Sequence, residues 1–187
     1  MKRVVSFAVA IAMLFSSVAM AEEVESGLKK DASVGPFYVT KVAGAEKDGV
    51  AVGKNLCYRC KNGGRPQVMV FTRSADEKVT KLVQKLDACV QKNEESQLRA
   101  FVNMLGDSKD AASDDVTKLA KASKAEKIPF VVPNEYENGP EDYGINPKAE
   151  LTIIFANGGK VVANHAVSSV KDLKVNKIVG ALEKALN

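Results

Sequence analysis

Gln67-Val68-Met69-Val70-Phe71-Thr72 is a continuous apolar run set between Pro66 and the polar pair Arg73-Ser74. Unbroken rather than alternating hydrophobicity over six residues is what a strand buried on both faces requires. Ser74 follows, with Glu77 three positions later. That S-x-x-E spacing predicts a capping box, in which the serine hydroxyl accepts from an orphan N–H of the first helical turn. Val79, Leu82, Val83, Leu86, Cys89 and Val90 then recur on one helical face. The same spacing turns Cys89 toward the core as a buried, inert thiol.

Downstream, residues 98–105 (LRAFVNML) read as a second buried strand. The small polar run 108–115 reads as a loop feeding a helix over 115–124. Residues 128–132 carry Pro129, which predicts a short edge-type strand. A long polar loop, 133–147, precedes 150–155 (ELTIIF), the turn Asn157-Gly158-Gly159, and 160–167 (KVVANHAV), which together predict a β-hairpin. Ser168 or Ser169 is expected to cap a last helix with Val170, Leu173, Ile178, Val179, Leu182 and Leu186 on its apolar face. Upstream, Phe37, Val39 and Val42 suggest a short strand, with 50–52 as its hairpin partner and an irregular stretch over 53–66. This order predicts an α/β three-layer sandwich: a mixed central sheet with helices on both faces and right-handed parallel crossovers.

The N-terminus reads Met1-Lys2-Arg3, an apolar run from Val4 to Phe15, and Ser16-Ser17-Val18-Ala19-Met20-Ala21. Two cations, a short apolar stretch and an A-x-A pattern predict a signal peptide over 1–21, cut before Glu22. The stretch is shorter than the roughly 20 residues of a spanning helix. The expectation is therefore an exported protein, periplasmic or extracellular, with no membrane attachment after cleavage. A charged leader over 22–33 precedes one domain over 34–187. Removing 21 of 187 residues leaves 166, enough for a single core. The signal holds two of the 27 Lys and Arg and no acid, so the net charge falls from +4 to +2. That charge, with no Trp in the chain, argues against nucleic acid as a partner. Gly63-Gly64 lacks the G-K-[ST] and the following helix of a phosphate loop, and no cofactor is expected.

Several segments together resemble the thioredoxin superfamily, in its branch of exported thiol-disulfide and peroxiredoxin-like proteins. They are Val34-Gly35-Pro36-Phe37-Tyr38-Val39, Val68-Met69-Val70-Phe71 with its capped helix, and Ile128-Pro129-Phe130-Val131-Val132. Tyr143-Gly144-Ile145, Leu151-Thr152-Ile153-Ile154-Phe155 and Gly158-Gly159-Lys160-Val161-Val162 carry the most specific part of the likeness. The resemblance spans 34–187. It implies a reactive cysteine at the turn from the central strand into its helix, where the helix N-terminus stabilises a thiolate. Here that turn is Thr72-Arg73-Ser74-Ala75-Asp76, without a thiol. The proline that the family places before its last hairpin corresponds to about Glu150. The usual site is therefore expected to be silent, without peroxide turnover.

The chain's CxxC, Cys57-Tyr58-Arg59-Cys60, precedes the central strand. It is expected near the end of that strand opposite the usual site. Three readings stay open: a structural disulfide, a displaced redox centre, or part of a metal site. A staple across so short a loop contributes only about 2 kcal/mol by chain entropy. Lys54, Arg59, Lys61 and Arg65 flank the pair with no acid from 52 to 67. Nearby cations favour a thiolate, although the cluster equally fits a solvated basic loop. Zinc needs four ligands, which would require Cys57, Cys60, Cys89 and His165 to converge. With Cys89 in the core and His165 on a strand, no metal is expected. Should the pair exchange, the resemblance implies Cys57 as the exposed attacker, Cys60 as the resolving thiol, and a protein thiol or disulfide as partner. The alternative function is a non-catalytic binding or scaffold domain with a structural disulfide.

Overall fold

Burial of one strand on both faces sets the architecture. The computed structural model describes residues 24–186, so the expected signal peptide and its cleavage site lie outside the described residues. In chain order the elements are β1 (Val39–Ala43), β2 (Asn55–Leu56), α1 (Tyr58–Asn62), β3 (Gln67–Thr72), α2 (Glu77–Lys92), β4 (Arg99–Met104) and α3 (Lys109–Ser123). They continue with β5 (Phe130–Pro133), β6 (Leu151–Asn157), β7 (Lys160–Val167) and α4 (Val175–Leu186). The sheet runs β2-β1-β5-β4-β3-β6-β7. β3 is parallel to β4 and antiparallel to β6, and every residue of it is buried. Its side chains alternate between two cores. Val68 and Val70 join the core under α2, α3 and α4, with Leu82, Leu86, Val116, Leu119 and Leu182. Met69 and Phe71 join the core on the other face, with Val34, Phe37, Tyr58, Tyr143 and Ile145. That second face is covered by α1, the 3-10 turn Glu141–Tyr143 and the extended N-terminal segment.

Four local expectations are corrected. The α2 cap is Asp76, whose carboxylate accepts from Lys78 N and Val79 N at 2.8 and 3.2 Å. Ser74 is held back by Thr72, whose hydroxyl donates to Ser74 O and accepts from Ser74 N. The polar run read as a loop is the first half of α3, capped by Ser108, whose hydroxyl accepts from Ala111 N. Its buried contacts come from Ala112, Val116 and Leu119. β5 is interior rather than an edge, because Pro129 stands just before the paired residues. There a missing N–H breaks no ladder bond, and the Pro129 carbonyl accepts from Val102 N at 3.0 Å. Ser169 caps a 3-10 turn, Val170–Asp172, and α4 begins only at Val175.

The partner of β1 is β2, not 50–52. The reason is Lys41, an inward-facing β1 residue only 2% exposed. Its ammonium donates to Ala45 O (3.0 Å), Val50 O (2.8 Å) and Asp48 Oδ1 (2.8 Å). Asp48 Oδ1 also accepts from Val50 N. Residues 45–50 thus wrap around a buried cation, and Val50 has spent its backbone groups there. Gly44 starts the wrap at φ +74°, where a Cβ would lie 2.3 Å from the Ile128 carbonyl.

Breaking a buried pair by deleting one partner leaves an uncompensated charge, a loss of about 3–5 kcal/mol. Asp48→Ala is expected to lower the unfolding free energy by that amount in urea titration. A loss below about 1 kcal/mol would mean that Lys41 is effectively solvated.

Candidate functional site

β2 ends at Leu56, and the chain turns directly into α1. Cys57 is the cap residue of that short helix, in extended conformation, and its Sγ accepts from Cys60 N at 3.0 Å. Cys57 and Cys60 form a disulfide with their Cα atoms 5.2 Å apart. Cys57 is buried, at 8% exposure, whereas Cys60 is exposed. The expected order of accessibility is thus reversed, because Cys57 continues the sheet edge while Cys60 falls on the outer side of the helical turn.

Tyr58 fixes the helix. Its ring stacks on Phe101 of β4 with centroids 5.7 Å apart, and its hydroxyl donates to Asp48 Oδ2 at 2.6 Å. Burial raises the Tyr58 pKa, and the hydrogen bond and negative charge of Asp48 raise it further. At the other end of α1, Arg65 donates from Nη1 to Asn62 O and from Nε to Gln97 Oε1. Arg65 therefore closes the helix end. Arg59 lies against the β6–β7 turn, its Nη2 3.3 Å from the position of a Cβ on Gly159. Its charge pulls the Tyr143 pKa down against the larger upward effect of burial. Of the four basic residues read as flanking the pair, Lys54 and Lys61 line the same hollow as both cysteines, about 590 Å³ in volume.

The pair follows the sheet edge, and the helix it opens leads toward the start of β3, where Arg59 meets the β6–β7 turn and Arg65 meets Gln97. Leu56 faces Val39, Val39 faces Pro133, and β5 runs parallel to β4 and hence to β3. Cys57 follows the outermost strand, four places from β3 in the sheet order.

The 72–76 turn carries no nucleophilic thiol. Arg73 N donates to Glu150 O, and Arg73 Nη1 donates to Glu137 O at 2.7 Å. Burial lowers the Arg73 pKa while Asp107 and Glu137 oppose the shift, and a guanidinium stays charged regardless. Cys89 is free and buried in α2. Burial pushes its pKa up, helped by Glu183, with Lys92 and the Asn93 amide opposing. His165 lies on β7 opposite Ile153. The structure does not bring Cys89 and His165 to the disulfide, and among the described residues no three His, Cys, Asp or Glu are grouped to hold a metal.

Sequence reasoning missed Lys41, Asp48 and Tyr58. One signal was present: Lys41 shares the inward parity of Val39, and a lysine at an inward strand position demands a carboxylate nearby.

No family model and no curated protein sequence matches the chain. Solved structures do. A putative thiol:disulfide interchange protein DsbE from Chlorobium tepidum superposes with TM-score 0.60 at 16% identity, over 86% of this chain and 99% of that one. The thioredoxin domain of a thiol-disulfide oxidoreductase from Bacteroides vulgatus gives 0.62 at 15%, over 86% and 99%. This chain has the thioredoxin-like fold. Mycobacterium bovis AhpC is similar in the same way, with TM-score 0.61 at 11% identity over 86% of this chain and 98% of that one. Within this thioredoxin-like domain, no helix among the described residues is long and apolar enough to cross a membrane.

The Tyr58 shift gives an alkaline signature. Above the ordinary tyrosine pKa of about 10 the unfolded chain ionises while folded Tyr58 keeps its proton. The unfolded state then binds fewer protons, so stability falls as pH rises. Tyr58→Phe is expected to lose about 1.5–3 kcal/mol near neutral pH, the value of a hydrogen bond to a charged group. That gap from the unaltered protein should narrow above pH 10. Urea titrations at several pH values check this, and a gap constant up to pH 11 would contradict it.

Proposed function

We propose that this is a thiol-disulfide exchange protein whose working pair is Cys57–Cys60, with the usual thioredoxin position unused. The observation that carries the reading is the asymmetry of the disulfide: Cys60 is at the surface, and Cys57 is buried with its sulfur accepting from Cys60 N. An external thiolate attacks Cys60 Sγ, and the Cys57–Cys60 bond breaks. Its electron pair leaves on Cys57 Sγ, a thiolate stabilised by the Cys60 N–H and by the charges of Lys54 and Lys61. A second thiol of the partner then attacks the mixed disulfide and releases Cys60. The partner is oxidised to a disulfide, and Cys57 and Cys60 take up its two electrons and two protons. Run backwards, the same steps reduce a partner disulfide, with Cys57 resolving the mixed species. These roles invert those that the family resemblance implies.

Fold neighbours that are thiol-disulfide oxidoreductases support the reading. The Met1–Ala21 pattern supports export of the 34–187 domain to an oxidising compartment, where disulfides persist and are exchanged. Equilibration with glutathione buffers, followed by alkylation and mass analysis, tests the function. The expected midpoint lies above about −300 mV, and stable structural bonds lie below it. Cys57→Ser with Cys60→Ser should abolish exchange. A pair that resists the glutathione pool leaves the structural reading. The same mass analysis on exported protein should find Glu22 as the first residue, and an unprocessed chain would refute export by this route.

A further inference from the structure

We propose that the thiol reaching Cys60 is carried by an extended, acidic peptide segment that docks in the hollow along β2. This inference rests on the exchange reading above and names its substrate class. Four observations converge on the hollow. Among the described residues the exposed large hydrophobics are Tyr38 and Val52, at 56% and 68% exposure. Tyr38 lines the hollow, and Val52 follows Ala51, which also lines it. Tyr38 thus presents an exposed aromatic face in the hollow that holds both cysteines, the kind of side chain enriched at interfaces.

The hollow is also one-sided in charge. Lys54 and Lys61 line it, and no Asp or Glu does. Asp48 beneath it is consumed by Lys41, Val50 N and Tyr58. Such a surface selects and steers a negatively charged partner. Next, β2 is the outermost strand among the described residues, and among them one edge of Asn55–Leu56 has no strand neighbour. A free strand edge directs an extended peptide through main-chain bonds. Finally, Cys60 opens on the same hollow, so a cysteine in a peptide lying along β2 meets the exposed sulfur.

The test uses the oxidised mature protein and reduced synthetic decapeptides with one central Cys, flanked by Leu and either Glu or Lys, with glutathione as a small reference thiol. Exchange with the Glu peptide should be at least about tenfold faster than with the Lys peptide, an advantage that shrinks at high salt. Lys54→Glu with Lys61→Glu should invert the preference. Tyr38→Ala should slow both peptides several-fold more than it slows glutathione. Binding of the Glu peptide with its Cys replaced by Ser, measured by anisotropy on the Cys57→Ser, Cys60→Ser protein, probes docking without chemistry. Equal peptide rates and no such binding overturn the proposal even if glutathione exchanges. Binding without any exchange upholds the docking surface and overturns the redox reading.

Discussion

A single carboxylate, Asp48, organises the part of the molecule that carries the cysteine pair. It compensates the buried Lys41 ammonium, accepts from Val50 N, and accepts from the Tyr58 hydroxyl. An unpaired ammonium at that depth is strongly destabilising, so residues 45–50 must fold over it. Because they do, the chain returns to β1 only at Gly53 and Lys54, which bond the Lys41 backbone, and pairs through Asn55–Leu56 before it leaves the sheet edge straight into α1. Tyr58 then returns to the same carboxylate and lays its ring on Phe101. The position of the disulfide follows from this sequence of constraints, and none of them involves sulfur.

The fold and its chemistry are separable here. The turn after the central strand survives as geometry: β3 still runs into a capped α2, and Glu150 O still faces Arg73 N. A guanidinium held by the Glu137 carbonyl of the 133–147 loop occupies the turn at which the sequence resemblance implied a thiol. At the sheet edge, a sulfur at the surface and a sulfur in the interior stand three residues apart. The buried one accepts from its own hydrogen-bond donor, the Cys60 N–H, and the exposed one is the sulfur within reach of a partner.

Legibility in the sequence followed the strength of the periodic signal. β3, the apolar face of α2, and the β6–β7 hairpin were readable because burial on two faces, on one stripe, and across a Gly-Gly turn each leave a distinct pattern. α3 was cut short because its first turns are solvent-facing and polar, with Ala112 the early buried anchor. Pro129 misled because a proline counts against an interior strand only where its N–H is needed, and it precedes the paired residues. The cysteine pair was visible as a motif. Its reversed exposure was not, since it depends on the path into α1 that Lys41 sets by pairing with a carboxylate seven residues away. The basic cluster likewise split in space: Arg59 and Arg65 brace the ends of the loop, while Lys54 and Lys61 remain beside the sulfurs.

The central claim is that exchange enters through Cys60 and leaves through Cys57. It is tested most directly by exposing the oxidised protein briefly to a thiol, quenching in acid, and locating the adduct by peptide mass mapping. The account predicts the adduct on Cys60, with Cys57 recovered as a free thiol. An adduct carried mainly on Cys57 would contradict it.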